Sequence, residues 1–300
     1  MFKKIVTKYK QSSLLGVLLA GMSYEFRQTS KFFLNSAERI STKIPISLND
    51  KELLMRNHIF KNKHMGCRCF VIGNGSSLKK QDLSLLSNEI TITVNAFYKH
   101  PIVEKWQPTY YCFSDPLLFD GSTAREIFFQ NLRQKIHSSK FLVPVYAKNT
   151  VENQKLLPVD QTYYAAFRGT LNNGLNYNID LTESIPGAQS VSQLAIMWSL
   201  YMGCSPIYLL GLDHDWLAHR GMDKHFHRGT TIENYSKAEE DLSKIYYKDD
   251  LKAVLDLWKG YETILKITAN KNISIINATE GGFLDVFERR EYKSIFTSSN

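Results

Sequence analysis

Cys69-Phe-Val-Ile-Gly-Asn-Gly-Ser-Ser-Leu78 decides how this chain is expected to fold. Cys69 to Ile72 is a short apolar run of strand length. Gly73-Asn-Gly-Ser-Ser77 is a turn of small residues, and Lys79 to Leu86 reads as the start of a helix. Strand, glycine turn and helix together let an α/β protein aim unpaired backbone N–H groups at a phosphate, with the partial positive charge of the helix start behind them. The third glycine of a dinucleotide fingerprint would fall at Leu78, and no Gly-Lys-Ser/Thr follows, so the turn matches neither that fingerprint nor a P-loop. A turn that only joins a strand to a helix has the same residues.

Outward from this turn the chain alternates. Apolar runs of strand type occupy 69–72, 90–94, 109–113, 141–146, 162–167, 207–212 and 273–276. Helical spacing occupies 80–86, 123–138, 150–156, 190–202 and 248–268. This alternation predicts an α/β fold, a mostly parallel sheet with helices on both faces. The helix from Ser190 carries the clearest signals: Gln193 three residues on makes a capping box, Val191, Leu194, Ala195, Trp198, Tyr201 and Met202 share a face, and Gly203 ends it. After the Pro186-Gly187 turn, its start is a second candidate anion site, although most caps are only structural. Residues 1–64 read as a helical, basic N-terminal extension, 65–290 as the main domain, and 291–300 as a tail.

Composition narrows the partners. A formal net charge of +8 favours anionic ligands. The basic residues are scattered and form no nucleic-acid module, so no nucleic acid is expected. Cys67, Cys69, Cys112 and Cys204 make neither a disulfide framework nor a paired zinc pattern, which fits a reducing, cytoplasmic compartment. Lys3, Lys4, Lys8 and Lys10 precede Leu14-Leu-Gly-Val-Leu-Leu-Ala20, a run too short to span a membrane. It reads either as a basic amphipathic helix giving residues 1–30 a peripheral inner-membrane contact, or as a helix packed on the domain.

Open parallel sheets bind ligands beyond the carboxyl ends of their strands. Gly73, Asn74, Gly75, Ser76 and Ser77 follow the first strand, Asn95 the second and Ser114-Asp115-Pro116 the third. Asp213-His214-Asp215 follow the run ending at Leu212, and Asn277-Ala-Thr-Glu-Gly-Gly282 follow the last. Five such ends point to one site. Asn95 falls about twenty residues after the turn, where dinucleotide enzymes read a ribose, and its amide can donate and accept. It would equally serve an Asx turn. Asp213, His214, Asp215, His225 and His227 are the densest titratable cluster. It reads as a divalent-metal site, as a general base for an acceptor hydroxyl, or as loop histidines; no zinc spacing appears, and the expected metal set is none.

Val71-Ile-Gly-Asn-Gly-Ser-Ser-Leu78, Val94-Asn95-Ala-Phe97, Ser114-Asp-Pro116 and Ile207-Tyr-Leu-Leu-Gly-Leu-Asp213 stand in the order found in the bacterial family 42 sialyltransferases, and the span from Arg68 to Phe287 resembles them. It also resembles the wider clan of motility accessory factors and 6-hydroxymethylpterin diphosphokinase-like proteins. The resemblance implies a Rossmann-like domain with a small lid, here around 214–247, and a CMP-activated nonulosonic acid such as sialic acid as donor, with no cofactor or metal. It places the Asn74 turn and Asn95 on the nucleotide, Ser114 and Asp115 near the ribose, and Gln189 and Ser190 near the donor sugar or phosphate. Lid tyrosines, here Tyr235, Tyr246 or Tyr247, would meet the departing phosphate. Ser76 stands where the family has Pro, and no histidine lies near Ile245-Tyr-Tyr247, where the family keeps its base. His227 or His225 then takes that role, with Asp213 a further catalytic candidate and Asp215 a substrate-binding one.

The expected function is an inverting glycosyltransferase that moves a sugar from a nucleotide donor to a glycan or glycolipid acceptor, a cell-surface glycan precursor. It leaves room for a homo-oligomer. The alternatives are an ATP-dependent diphosphokinase with magnesium on Asp115, Asp213 or Asp215, and a non-catalytic nucleotide-binding protein at the membrane.

Overall fold

The structure, a computed structural model, describes residues 25, 29, 47–173, 177–218, 225–226, 246–269 and 271–297. The chain divides into two compact units, Met1–Ile44 and Pro45–Asn300. In the first, Thr29 Oγ1 donates to the Glu25 carbonyl at 2.8 Å, a bond across one helical turn. The rest of residues 1–30, on which the membrane-contact expectation rests, lies outside the described residues. Among the described residues no helix is long and apolar enough to cross a membrane.

The second unit is built on a parallel sheet, nine-stranded among the described residues: β1 (Cys69–Ile72), β2 (Ile90–Val94), β3 (Tyr110–Cys112), β4 (Lys140–Pro144), β5 (Thr162–Thr170), β6 (Ser184–Gly187), β7 (Ile207–Leu210), β8 (Ile275–Asn277) and β9 (Glu288–Arg289). The spatial order is β6-β5-β4-β3-β2-β1-β7-β8-β9, and every pair is parallel. The fold is the expected Rossmann-like α/β sheet. β6 and β9 were not expected. β6 contains Pro186-Gly187, which reads as a turn, and the sheet tolerates that proline because β6 is an edge strand. β9 is two exposed charged residues at the other edge, without an apolar signal.

Alternation along β1 fills two cores. Phe70 and Ile72 join Tyr111, Phe113, Phe141 and the aromatic face of α2 (Thr123–Lys135), which brings Phe128 and Phe129. Cys69 and Val71 join Val94, Tyr110 and Leu142 beneath α4 (Val191–Tyr201) and α5 (Tyr247–Ala269). A strand covered on both faces reads as an uninterrupted apolar run, as β1 does. α4 is buried from Ser192 to Tyr201. α3 (Lys148–Asn153) is one short turn after β4.

Leu78 is reached not by an α-helix but by two 3-10 segments, Ser76–Lys80 and Leu83–Leu86. The expected helix at 80–86 is absent, and with it the macrodipole that an α-helix would have set behind the glycine turn. The chain joins the sheet well before residue 65. α1 (Leu48–Met55) buries Leu54, and Asn57 donates through Nδ2 to the carbonyls of Tyr164 and Leu181 at 2.8 and 2.7 Å. Phe60 is fully buried, with ring centroids 4.6 Å from Tyr163, 5.2 Å from Trp198 and 5.8 Å from Tyr110. At the other end α6 (Ser294–Thr297) stacks Phe296 on Phe70, so the expected tail is packed as far as the structure describes it. The expected lid at 214–247 falls mostly outside the described residues.

Phe60→Ala should destabilise the protein by about 3–5 kcal/mol. Equilibrium urea unfolding reads this directly, and a loss below about 1 kcal/mol would show that this segment is not part of the core.

Candidate functional site

The chain runs from β1 to β6 in one direction across the sheet, then returns through α4 to place β7 on the other side of β1. That reversal opens a crevice beyond the carboxyl ends of β1 and β7, the position where open α/β sheets take ligands. A cleft of about 340 Å³ lies there, walled by the ends of β1, β2 and β7, the start of α4 and His225.

Its β1–β7 wall is welded by the backbone. Gly73 N donates to the Leu210 carbonyl at 2.8 Å and Gly75 N to the Gly211 carbonyl at 2.9 Å. A Cβ on Gly73 would strike the Gly211 carbonyl oxygen, and one on Gly75 would strike the Asp213 carboxylate. These glycines therefore admit the neighbouring strand, whereas the sequence suggested that they admit a ligand. The buried Asp213 carboxylate accepts from Ser77 N at 3.0 Å, from the Ser77 hydroxyl, and from Ser76 Oγ at 3.3 Å. The protein's own anion thus occupies donors that a bound phosphate was expected to use. Behind it, Phe283 N donates to the Asp213 carbonyl at 2.7 Å, and Gly282, at φ +73°, leaves no room for a Cβ there.

Two carboxamides stand at the β1–β2 wall. Asn74 donates through Nδ2 to the Val94 carbonyl at 3.0 Å, and its buried Oδ1 has no partner. Asn95 sits at φ +47°, a left-handed conformation that asparagine tolerates better than most residues. Its buried Oδ1 is also unpartnered. Other buried polar atoms, among them Asn57 Oδ1, Gln81 Oε1 and Thr93 Oγ1, are likewise unpartnered, so what distinguishes this pair is that both residues line the cleft. Opposite the Asn74 backbone, Phe226 N donates to the Asn74 carbonyl at 3.0 Å, and the Phe226 ring packs against Phe97 and His100. Those contacts hold the exposed His225 at the cleft, in an antiparallel bridge with Gly75.

The remaining wall is the start of α4. The expected capping box is altered: Gln193 Oε1 accepts from Gln189 N at 2.8 Å, and the Ser190 side chain does not cap the helix. Ser190 Oγ instead lies 2.5 Å from Ser192 Oγ, which lies 2.7 Å from the Tyr261 hydroxyl. Tyr261 Oη lies 2.7 Å from His214 Nε2. His214 stands at φ +47°, with its ring against those of Trp216, Trp258 and Tyr261. Burial pushes its pKa down from 6.5 to about 4, so the imidazole is neutral near pH 7.

Of the residues singled out in the sequence, Gly73, Asn74, Gly75, Asn95, Ser190, Asp213, Asp215 and His225 line this cleft. Ser76 and Ser77 bind Asp213, and Gln189 meets Gln193. The Ser114-Asp115 turn lies elsewhere: Asp115 accepts from Leu117 N at 2.9 Å, and the Ser114 carbonyl accepts from Tyr146 Oη at 2.6 Å, beside a second cleft of about 190 Å³ between the end of β4, the middle of β5 and Asp50 of α1. The loop after β8 buttresses β7 instead of joining the cleft, with Leu212 N donating to Thr279 Oγ1 at 3.2 Å. Tyr246 and Tyr247 are exposed at the start of α5 and do not line the cleft. His227 and Tyr235 lie outside the described residues. Ser192, Tyr261, Trp216 and Trp258 were missed. One signal for Tyr261 was available: Gly260, inside a long helix, is costly unless something packs closely on it, and a Cβ there would meet the Gln193 amide.

No protein-family model matches this chain, and no curated protein matches it. Among solved structures, it is similar to a MAf glycosyltransferase from Magnetospirillum magneticum AMB-1, at 15% sequence identity and a TM-score of 0.47, over 93% of this chain and 42% of that one. The chain thus spans less than half the length of that protein.

The depressed His214 pKa has a consequence for stability. Between pH 6.5 and about 4 the unfolded chain binds a proton that folded His214 refuses, so stability is fully present above pH 6.5 and falls as pH drops through this window. His214→Gln should flatten that part of the profile. His64 and His100 are also shifted downward by burial, so the comparison is the difference between wild type and variant urea midpoints across pH. Parallel profiles would show that His214 titrates normally.

Proposed function

We propose that this protein is a glycosyltransferase that takes its sugar from a nucleotide donor bound in the cleft between β1, β2, β7 and α4. One observation carries the reading: a switch-point crevice lined by Asn74 and Asn95 on one wall and by a helix start on another. Carboxamides at such a wall suit the hydroxyls of a ribose or the edge of a base, since an amide can both donate and accept. The first backbone N–H groups of α4, with the helix dipole behind them, suit a phosphate. The two features lie on different walls of one cleft, which is what a nucleoside joined to a phosphate requires.

The sequence resemblance supports CMP as the carrier and a nonulosonic acid as the sugar, moved with inversion onto a cell-surface glycan or glycolipid precursor on the cytoplasmic side. His225, held at the cleft mouth, or His227 accepts the proton of the attacking hydroxyl. The charge that grows on the departing phosphate is met at the start of α4. Asp213 takes no part in the proton transfer in this scheme; saturated by Ser76 and Ser77, it holds the wall in place.

A thermal-shift screen with CMP, UDP, GDP and ATP tests the reading. The true carrier, at a hundredfold excess over its dissociation constant, should stabilise the protein by about 2.7 kcal/mol. Asn95→Gly, which keeps the left-handed backbone while removing the carboxamide, should weaken that stabilisation with little change in the melting temperature of the unliganded protein. A screen in which no nucleotide stabilises the fold would end the proposal, and a response to ATP alone would turn it toward diphosphoryl transfer.

A further inference from the structure

His214 has no place in the scheme above, yet three successive hydrogen bonds connect it to Ser190 at the start of α4. Ser190 Oγ, Ser192 Oγ, Tyr261 Oη and His214 Nε2 are linked at 2.5, 2.7 and 2.7 Å. Ser190, Ser192 and His214 line the cleft, whereas Tyr261 is fully buried. The chain crosses from α4 to α5 and on to the loop after β7, so residues remote in sequence are held in one line. Each hydroxyl can donate one hydrogen, so the line must run in one direction or the other. If Nε2 accepts, Tyr261 donates to His214, and Ser190 turns its lone pairs to the cleft. If Nε2 carries the proton, His214 donates to Tyr261, Tyr261 to Ser192 and Ser192 to Ser190, which then has its O–H left to give to a ligand.

We propose that His214 and Tyr261 are positioning residues that orient the Ser190 hydroxyl as a donor toward the phosphate of the bound nucleotide. The proposal rests on the reading that a nucleotide occupies this cleft with its phosphate at the start of α4. A phosphate oxygen offers only acceptor sites, so its arrival selects the second direction along the whole line. The selection costs little, because it requires only a shift of the imidazole proton between ring nitrogens and a turn of three hydroxyl rotors. No proton passes to the ligand. A protonated imidazole would fix the line in one sense; burial among Trp216, Trp258 and Tyr261 keeps the ring neutral, and both senses stay open. Further along α4, Gln193 places its side chain on Gly260, so α5 approaches closely enough for Tyr261 to reach Ser192.

The test separates the phosphate from the nucleoside. Dissociation constants for CMP and for cytidine are measured by calorimetry with wild type, Tyr261→Phe, Ser190→Ala, the double variant, His214→Gln and His214→Phe. If the screen selects another base, the corresponding nucleotide and nucleoside replace this pair. Loss of one hydrogen bond to a charged phosphate should weaken CMP binding about tenfold in Ser190→Ala, and Tyr261→Phe, which keeps that hydroxyl but frees its rotor, should weaken it by less, with cytidine affinity unchanged in both. The double variant should be no worse than Ser190→Ala alone. His214→Gln, whose amide can still donate to Tyr261, and His214→Phe, which leaves Ser192 as the only partner on the line for the Tyr261 hydrogen, should both retain CMP affinity, and a loss in His214→Phe would overturn the direction assigned to the line. Equal losses for CMP and cytidine, no loss at all, or additive losses in the double variant would overturn the role of the line while leaving the nucleotide reading intact. Wild-type protein that binds neither member of any pair would overturn both. Should Tyr261→Phe fail to fold, Ser190→Ala, on the cleft wall, decides the question with the His214 pair.

Discussion

The Asp213 carboxylate, received by the Ser76–Ser77 turn, is the contact on which the site depends. It fastens the end of β7 to the end of β1 beyond the last strand bonds and fixes the width of the crevice between them. Three constraints meet there: a buried charge needs donors, the donors need a tight turn, and the turn must pass beside a second backbone. Gly73, Gly75 and Gly282 each lack a side chain where one would collide with the Gly211 carbonyl, the Asp213 side chain or the Asp213 backbone. Removal of one partner from a buried charged contact of this kind leaves the other stranded, which costs far more than the contact is worth when intact. A position that looks like a ligand cradle is thus an internal lock. In the proposed reading the ligand-facing chemistry lies on its flanks, at Asn74 and Asn95 on one side and at the start of α4 on the other.

Much of the sheet was legible in the sequence. β1 and β2 have the bounds that the sequence suggests, because strands buried on both faces are built of apolar and β-branched residues, Thr91 and Thr93 of β2 included. The edges were not legible. β6 ends in Pro-Gly and β9 is Glu-Arg, and what makes either a strand is the neighbour it meets. The segment 76–86 misled for a related reason. Its lysines and leucines have helical spacing, but Asp213 pulls Ser76 and Ser77 into a 3-10 turn, and no local signal shows a carboxylate more than a hundred residues away.

The site was legible as a set of strand ends and illegible as a set of walls. Polar residues after β1, β2 and β7 do meet, as the topology of a parallel sheet requires. Ser114, Asp115 and the loop after β8 carry the same residue types and serve as caps and buttresses, so composition could not separate the two uses. Tyr261 illustrates the opposite difficulty. A tyrosine on an amphipathic helix reads as core, and its hydroxyl gains a role only through Ser192 and His214, which arrive from two other elements.

β1 pairs with β2 on one side and, across a long stretch of chain, with β7 on the other, Cys69 opposite Ile207. On the ribosome this has an order built into it. Every strand from β2 to β6 is synthesised while β1 still offers a bare, wholly apolar edge, the kind of surface that recruits foreign strands. The segment that supplies β7 therefore does more than complete a crevice. It caps the nascent sheet at its most adhesive point, and a chain released before Leu210 would carry an open template for association with its neighbours.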